Sequence, residues 1–368
     1  MPPINAINTT FKSQYLKILR HFTLLLVPGL LSITTSLTLV SCTQESQNAE
    51  SQPSASDVSQ TKTSNIKTKV LHMGYQQAGD LVRITKVLEK RLEPLGVKVE
   101  WSQFAQGPQL MEAMNVGKID LGSVGETPPI FAQAAGAQIV YVVGTRRTEK
   151  TGRGSAIVVP PNSPIKSIKD LKGQKVVFQK GSASHYLILR ALEDAGLKYS
   201  DIKVLSIPTV ESTATFLQGK IPVWVTSDPY FALAEKAGKV RVLKTAQGLD
   251  TPGGYYVGAK QFAIDNPDLL RIVIEEIDKI QRWAEAHPQE TAKLIVPYQK
   301  LLPDVMEVVV KRRSYGLRGI SPDLIKDQQR VADYFYKNGV LPKPINVQEA
   351  MLTPEQYAAI TPTTISQK

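Results

Sequence analysis

The sequence predicts an α/β fold divided into two units with a ligand cleft between them. Three observations carry this. From Lys67 onward, short apolar strands alternate with apolar residues at helical spacing. The alternation stops at a polar, glycine-containing stretch, residues 146–154, and then restarts. About 300 residues are also more than one small core accommodates. A βαβα rhythm of this kind covers both faces of a sheet with helices.

The first unit opens with a strand at residues 69–75 (KVLHMGY). Leu81, Ile84, Val87, Leu88, Leu92 and Leu95 then recur at the spacing of one helical face. A strand follows at 97–101, a helix at 110–116 and a buried strand at 119–124 (IDLGSV). Pro128 and Pro129 begin a helix over 128–135, where a missing amide donor costs least, and a strand at 139–144 closes the unit. In the second unit, strands are expected at 156–159, 175–178, 204–207 and 223–226. A short helix is expected at 168–171, with longer ones at 184–195, 211–217 and 228–237. A strand at 255–259 leads into the strongest helical pattern of the chain. There Asn266 stands as N-cap, Pro267 takes the first helical position, and Leu270, Val273, Ile277 and Ile280 share one face. The pattern stays helical to about Tyr336.

Before the globular part, Lys12, Lys17 and Arg20 precede an apolar run over 22–40, with no acidic residue ahead of Cys42. Basic, apolar, small is the order of a bacterial secretion signal. Leu39-Val40-Ser41-Cys42 resembles a bacterial lipobox. That resemblance implies cleavage before Cys42, which is the single cysteine of the chain, and lipidation of its thiol. Two or three acyl chains anchor a protein firmly without a spanning helix. Residues 43–66 are Gln, Ser, Thr, Asn and Ala with scattered charges, a composition that cannot offset its ordering entropy, so a flexible tether is expected.

The chain is 42% hydrophobic and 21% charged, an ordinary globular balance. Loss of the leader removes three cations, so the formal +11 falls to +8. An excess spread as single and paired Lys and Arg suits an anionic ligand or membrane surface. It is too diffuse for nucleic acid, and no basic helix with interleaved aromatics occurs. The densest cluster, RRTEK at 146–150, reads as a solvated loop. His21, His72, His185 and His287 have no metal-ligand spacing, so neither a metal nor a cofactor is expected.

Polar residues gather where strands give way to helices: GYQ at 74–76, GPQ at 107–109, GSVGE at 122–126, KGSASH at 180–185 and SDPY at 227–230. Unpaired amide donors and the positive end of a helix dipole favour anions there. The carboxyl end of successive strands is also where open α/β sheets bind ligands.

These segments carry a resemblance. With LEKRLEPLGVKVEW, GPQLMEAMNVGKIDLGSVGETPPIFAQAAG and SPIKSIKDLKGQKVVFQKGSASHYLILRALEDAGLKYSDI, the chain resembles the aliphatic sulfonate-binding proteins of ABC importers over residues 70–290. The resemblance implies a two-lobed periplasmic-binding-protein-like fold (type II) that closes on its ligand and delivers it to a membrane permease driven by an ATPase. It implies a lipid-anchored monomer in the bacterial cell envelope, facing the periplasm or exterior, with no chemical turnover. The expected division is a signal peptide at 1–41, lipidated cysteine and tether at 42–66, and lobe one at 67–153. Lobe two then spans 154–253, the helical return of lobe one 254–340, and a C-terminal tail 341–368. Closure is expected about hinges near 151–155 and 249–254.

A sulfonate is a tetrahedral monoanion that accepts no proton near neutrality, so neutral donors and helix dipoles suffice to hold it. By position, the resemblance implies side-chain amides from Gln76 and Gln109, and a binding loop of Ser123, Gly125 and Glu126. Glu126 is expected to fix that loop, because a carboxylate beside a bound anion repels it. From the second lobe, Ser182 and Ser184 present hydroxyls and amides. His185 either donates one N–H while neutral or is a satisfied structural histidine. Ser227, Asp228 and Gly254 complete the set.

The chain departs from the family's W-x-x-W-D-P pattern in IPVWVTSDP at 221–229: Pro222 stands at an aspartate position and Ser227 replaces the second tryptophan. Gly254 follows Gly253 where relatives often carry serine. Loss of an aromatic wall opens space, leaving taurine, a sulfate ester, nitrate or bicarbonate as alternatives, or a sensor that delivers nothing. An ammonium-bearing ligand such as taurine would want a carboxylate, and one acidic position is missing. Ser182, His185 and Asp228 have the residue types of a hydrolase triad, but no G-x-S-x-G elbow exists and Ser182 lies only three residues from His185. Catalysis is not expected.

Overall fold

The computed structural model describes residues 66–365 apart from 77–79 and 250. The leader, Cys42 and the tether to residue 65 lie outside the described residues. Two mixed sheets organise the fold. The first has strands β1 (Val70–Gln76), β2 (Lys98–Phe104), β3 (Leu121–Val124), β4 (Ile139–Thr145), β10 (Tyr255–Ala259) and β11 (Leu317–Arg318), in the order β11-β4-β10-β3-β1-β2. The second has β5 (Ser155–Val159), β6 (Lys175–Phe178), β7 (Lys203–Ser206), β8 (Val223–Ser227) and β9 (Arg241–Thr245), in the order β7-β6-β8-β5-β9.

Both sheets follow one plan. β1 runs parallel to β2 and β3, and β6 runs parallel to β7 and β8. An antiparallel strand is then inserted beside each parallel core, β10 next to β3 and β5 next to β8. β10 returns from the second sheet and sits between β3 and β4, so the first lobe is closed by chain that has already built the second. Two crossovers, residues 146–154 and 246–254, therefore join the lobes side by side. Gln247 donates from one crossover to the Glu149 carbonyl on the other at 3.0 Å.

Apolar alternation explains the strands. In β1, Leu71, Met73 and Tyr75 point into the core, and β4 (IVYVVGT) is buried on both faces up to its last residue. The long helix Pro267–Ala286 buries Leu269, Leu270, Val273, Ile274, Ile277 and Ala284 along one stripe. Among the described residues no helix is long and apolar enough to cross a membrane.

The structure differs from the sequence reading at several points. The helix expected from Leu81 to Leu95 is broken: Lys86 adopts a left-handed φ of 54°, which separates Leu81–Thr85 from Val87–Leu92, and a 3-10 turn Glu93–Leu95 follows. Asn266 does not cap its helix with its side chain. The preceding helix, Lys260–Asp265, ends on it, and its Nδ2 is spent on the Phe262 carbonyl at 3.0 Å. β9 escaped the reading because it is an edge strand that pairs only with β5 and keeps no fully buried residue, so it lacks alternation. Residues 341–365, expected as a tail, are docked. Leu341, Val347, Leu352 and Ile360 are buried in the first lobe's core, and Tyr357 Oη donates to the Tyr141 carbonyl at 2.7 Å.

One helix, Ala183–Asp194, serves both lobes. Leu187, Ile188, Ala191 and Leu192 pack into the second lobe's core, whereas Tyr186 and Leu189 pack into the first lobe's. Tyr334 Oη, from the helix Pro322–Lys337, donates to the Leu189 carbonyl at 3.1 Å.

Candidate functional site

A cavity of about 450 Å³ lies between the lobes, beside the two crossovers. The first lobe contributes Gln76 at the end of β1, Ser123 near the end of β3, and Gly125 and Glu126 on the loop that follows it. The second contributes Ser227 and Asp228 at the end of β8, Ser155 at the start of β5, and Ala183 at the first position of its helix. The crossovers add Thr145, Arg146, Lys150 and Gly254, and the helical return adds Arg312, Arg313 and Tyr315. Part of the wall is thus made of carboxyl ends of strands and amino ends of helices, where backbone amides lack intrahelical acceptors.

Of the residues expected to bind ligand, Gln76, Ser123, Gly125, Glu126, Ser227, Asp228 and Gly254 line this cavity. Gln76 Nε2 donates to the Ser123 carbonyl at 2.8 Å, so part of its donor capacity braces the loop. Gly125 meets the opposite lobe directly: a Cβ built there would lie 3.3 Å from the Ala183 methyl. Gly254 has no room for the serine that relatives often carry, since a Cβ would stand 2.9 Å from the Val124 carbonyl. Its backbone is tied to β4 through Thr145, whose Oγ1 accepts from the Gly254 amide at 2.9 Å.

Gln109, Ser182, Ser184 and His185 lie outside the cavity wall. Gln109 Oε1 accepts from Gln179 Nε2 at 3.3 Å, and Gln106 donates to Thr209 Oγ1 nearby, so both join the lobes at a rim. Ser182 is buried and donates to the Gln179 carbonyl at 2.7 Å. His185 is fully buried in an aromatic box of Phe131, Phe178, Tyr199 and Phe335. Its Nδ1 accepts from the Gly181 amide at 3.2 Å, so the proton resides on Nε2. Burial holds the ring neutral, its pKa pushed down to about 3, with the Lys180 charge acting in the same direction. His185 lies outside the cavity wall, and its buried Nε2 has no hydrogen-bond partner among the described residues, so packing rather than a satisfied pair of hydrogen bonds places the ring.

The basic residues of the wall were not singled out from sequence as site residues. Arg146 and Lys150, read as part of a solvated loop, face the cavity and share Glu285 at 3.9 and 2.8 Å. Arg312, far along the chain, pairs with Glu235 of the second lobe, approaches Asp228 at 3.6 Å and lies 4.7 Å over the Phe231 ring. The legible hints were the overall basic excess and its densest cluster, at 146–150 beside the first crossover. Against these cations stand three carboxyls. Burial raises the pKa of Asp228 to about 6, against the opposing pull of Arg312. Burial likewise raises Asp80, whose carboxylate accepts from the Arg83 amide at 3.2 Å. Glu126 is buried, and its pKa is raised by that burial to about 7.

The Gly125–Glu126 turn is held from behind. Gln328, fully buried on the helix Pro322–Lys337, donates through Nε2 to the Glu126 carbonyl at 2.6 Å and to Tyr141 Oη at 2.9 Å. Gln328→Leu keeps the volume but removes both donors and strands a buried carbonyl. We expect a loss of about 1–3 kcal/mol, visible in thermal unfolding as a lower midpoint. An unchanged midpoint would mean that the turn does not depend on this support.

The NMT1/THI5-like family matches residues 93–291. A relative from Escherichia coli (strain K12), named for aliphatic sulfonate binding, is 37% identical over 292 residues, covering 78% of this chain and 90% of its own. The solved alkanesulfonate-binding protein SsuA from Xanthomonas axonopodis pv. citri, bound to MOPS, is 34% identical with a TM-score of 0.74, covering 77% of this chain and 98% of its own. The solved periplasmic aliphatic sulphonate binding protein SsuA from Escherichia coli is 37% identical with a TM-score of 0.70, covering 78% of this chain and 93% of its own.

Proposed function

The chain belongs to the NMT1/THI5-like family, and we propose that it is the substrate-binding component of an ABC importer, capturing an aliphatic or related organic sulfonate between its lobes. The observation that carries this reading is the cavity itself. Strand ends and helix starts from two lobes converge on one shared space, in a chain 34–37% identical to solved sulfonate-binding proteins.

Ser123, the Gly125 amide and Ser227 are neutral donors suited to a permanent monoanion. Arg146, Lys150 and Arg312 line the same cavity already paired with Glu285 and Glu235, so the ligand's charge falls chiefly to the neutral donors. No reaction is part of this reading. The lobes would open and close about the crossovers 146–154 and 246–254, the segments where the fewest covalent links join them. Lipidation of Cys42 would tether the protein to a membrane beside its permease and ATPase, acting as a monomer.

The test is thermal unfolding of the globular part with pentanesulfonate, taurine, sulfate, nitrate and bicarbonate in turn. A ligand at a hundred times its Kd stabilises by about 2.7 kcal/mol, a shift of several degrees. We expect that shift with pentanesulfonate and none with nitrate or bicarbonate. A shift confined to the inorganic anions would sink the sulfonate assignment.

A further inference from the structure

Glu126 sits where a carboxylate is least welcome. It lines a cavity read above as an anion site, on the very loop that offers neutral donors, and only 6% of it is exposed. Its Oε1 accepts from Thr127 Oγ1 at 3.2 Å, which leaves the second oxygen to carry a proton. No lysine or arginine among the described residues compensates it. The elements packed around it offer no cation at close range either. β4 and β10 present Tyr141 and Tyr255, both held protonated by burial, and the helix behind presents the neutral Gln328 amide. Asp327 and Arg318 lie beyond, where their charges act on Tyr255. Across the cavity the second lobe presents Ala183 and a further carboxyl, Asp228. Arg146 and Lys150 share Glu285, Arg312 pairs with Glu235, and the charge of Arg313 acts on Asp80, the third carboxyl of the wall.

A buried carboxyl without a cation avoids its charge by taking a proton. A bound anion adds to that preference, since two negative charges in one low-dielectric cavity repel. In the acid form the same group becomes a hydrogen-bond donor. We infer that Glu126 contacts the bound anion as a neutral carboxylic acid, donating a hydrogen bond to it, so that ligand capture takes up a proton from solvent.

This rests on the sulfonate reading and adds a residue that reads pH. The direction follows from where the group titrates. The pKa is about 7 in the empty cavity, and a bound anion raises it further. Affinity is therefore full below that point and is lost as pH rises through it.

The experiment is titration calorimetry with pentanesulfonate, which stays ionised throughout, between about pH 6 and pH 8.5. Two buffers of different ionisation enthalpy are used at each pH. We expect Kd to weaken roughly tenfold from pH 6 to pH 8, with net proton uptake near pH 7. Glu126→Gln, a neutral donor at every pH, should lose the weakening and the proton uptake between pH 7 and pH 8, leaving near pH 6 only the contribution of Asp228, whose own pKa is raised to about 6. A wild type that binds equally well across the range without proton uptake would overturn the inference, as would a Glu126→Gln variant that keeps the slope. The wild-type proton count stands even if the variant folds poorly. Absence of binding at every pH would instead remove the sulfonate reading, and this inference with it.

Discussion

Trp224→Ala is expected to cost about 3–5 kcal/mol and to lower the unfolding midpoint by roughly 10 °C. Trp224 has no exposed surface, and its indole stacks on Phe216 with centroids 5.0 Å apart and planes at 29°. Its Nε1 donates to Ser212 Oγ at 3.0 Å. Around it lie Ala156, Val158, Val177, Ile221 and Phe231, the core on one face of the second sheet. Removing the indole empties the centre of that core, and strands already paired in a sheet cannot collapse to fill it. Trp224 does not line the cavity although Ser227, three residues on, does. Pentanesulfonate should therefore still bind well below the lowered midpoint. A midpoint within a degree or two of wild type would show that the neighbours refill the space.

Gly152→Ala is expected to damage stability and binding together. Gly152 has φ +84°, and a Cβ there would lie 2.4 Å from the Ala246 carbonyl oxygen and 2.8 Å from the Gln247 nitrogen. Left-handed backbone costs an L-residue about 1–2 kcal/mol, and overpacking adds about 1–3 kcal/mol. The obstacle is backbone, so no rotamer change relieves it. Relief requires the crossovers to part, which shifts Ser155 and Ser227 relative to Ser123 and Gly125 across the cavity. We expect a loss of about 2–4 kcal/mol in unfolding and pentanesulfonate affinity weakened at least tenfold in calorimetry. Wild-type affinity in this variant would argue that the crossovers do not set the cavity's shape.

The two variants separate two kinds of information in the chain. Most strands and helices were readable because their cause is local. A stripe such as Leu270, Val273 and Ile277, or alternation such as Leu71, Met73 and Tyr75, states which face must be covered without naming what covers it. Polar strand ends were readable for a similar reason. Gln76, Ser123 and Ser227 close buried strands, and Gly125, Glu126 and Asp228 follow them, so they emerge at the ends of their sheets whatever the rest of the chain does.

Where the cause is distant, only the tertiary structure decided. The junction KGSASH contains four polar side chains, yet the helix rotation that buries Leu187 and Leu192 turns Ala183 toward the cavity and His185 into an aromatic box built from both lobes. Rotation about a helix is set by what packs against it, and half of that packing comes from Phe131 and Phe335, far away in sequence. Arg312 reaches the cavity, and residues 341–365 reach the first core, for the same reason: chain that has built one lobe returns to complete the other. The protonation of Glu126 belongs here too. A glutamate on a loop is ordinarily charged; only its enclosure by Tyr141, Tyr255 and Gln328, with no cation admitted, withdraws the water that would keep it so.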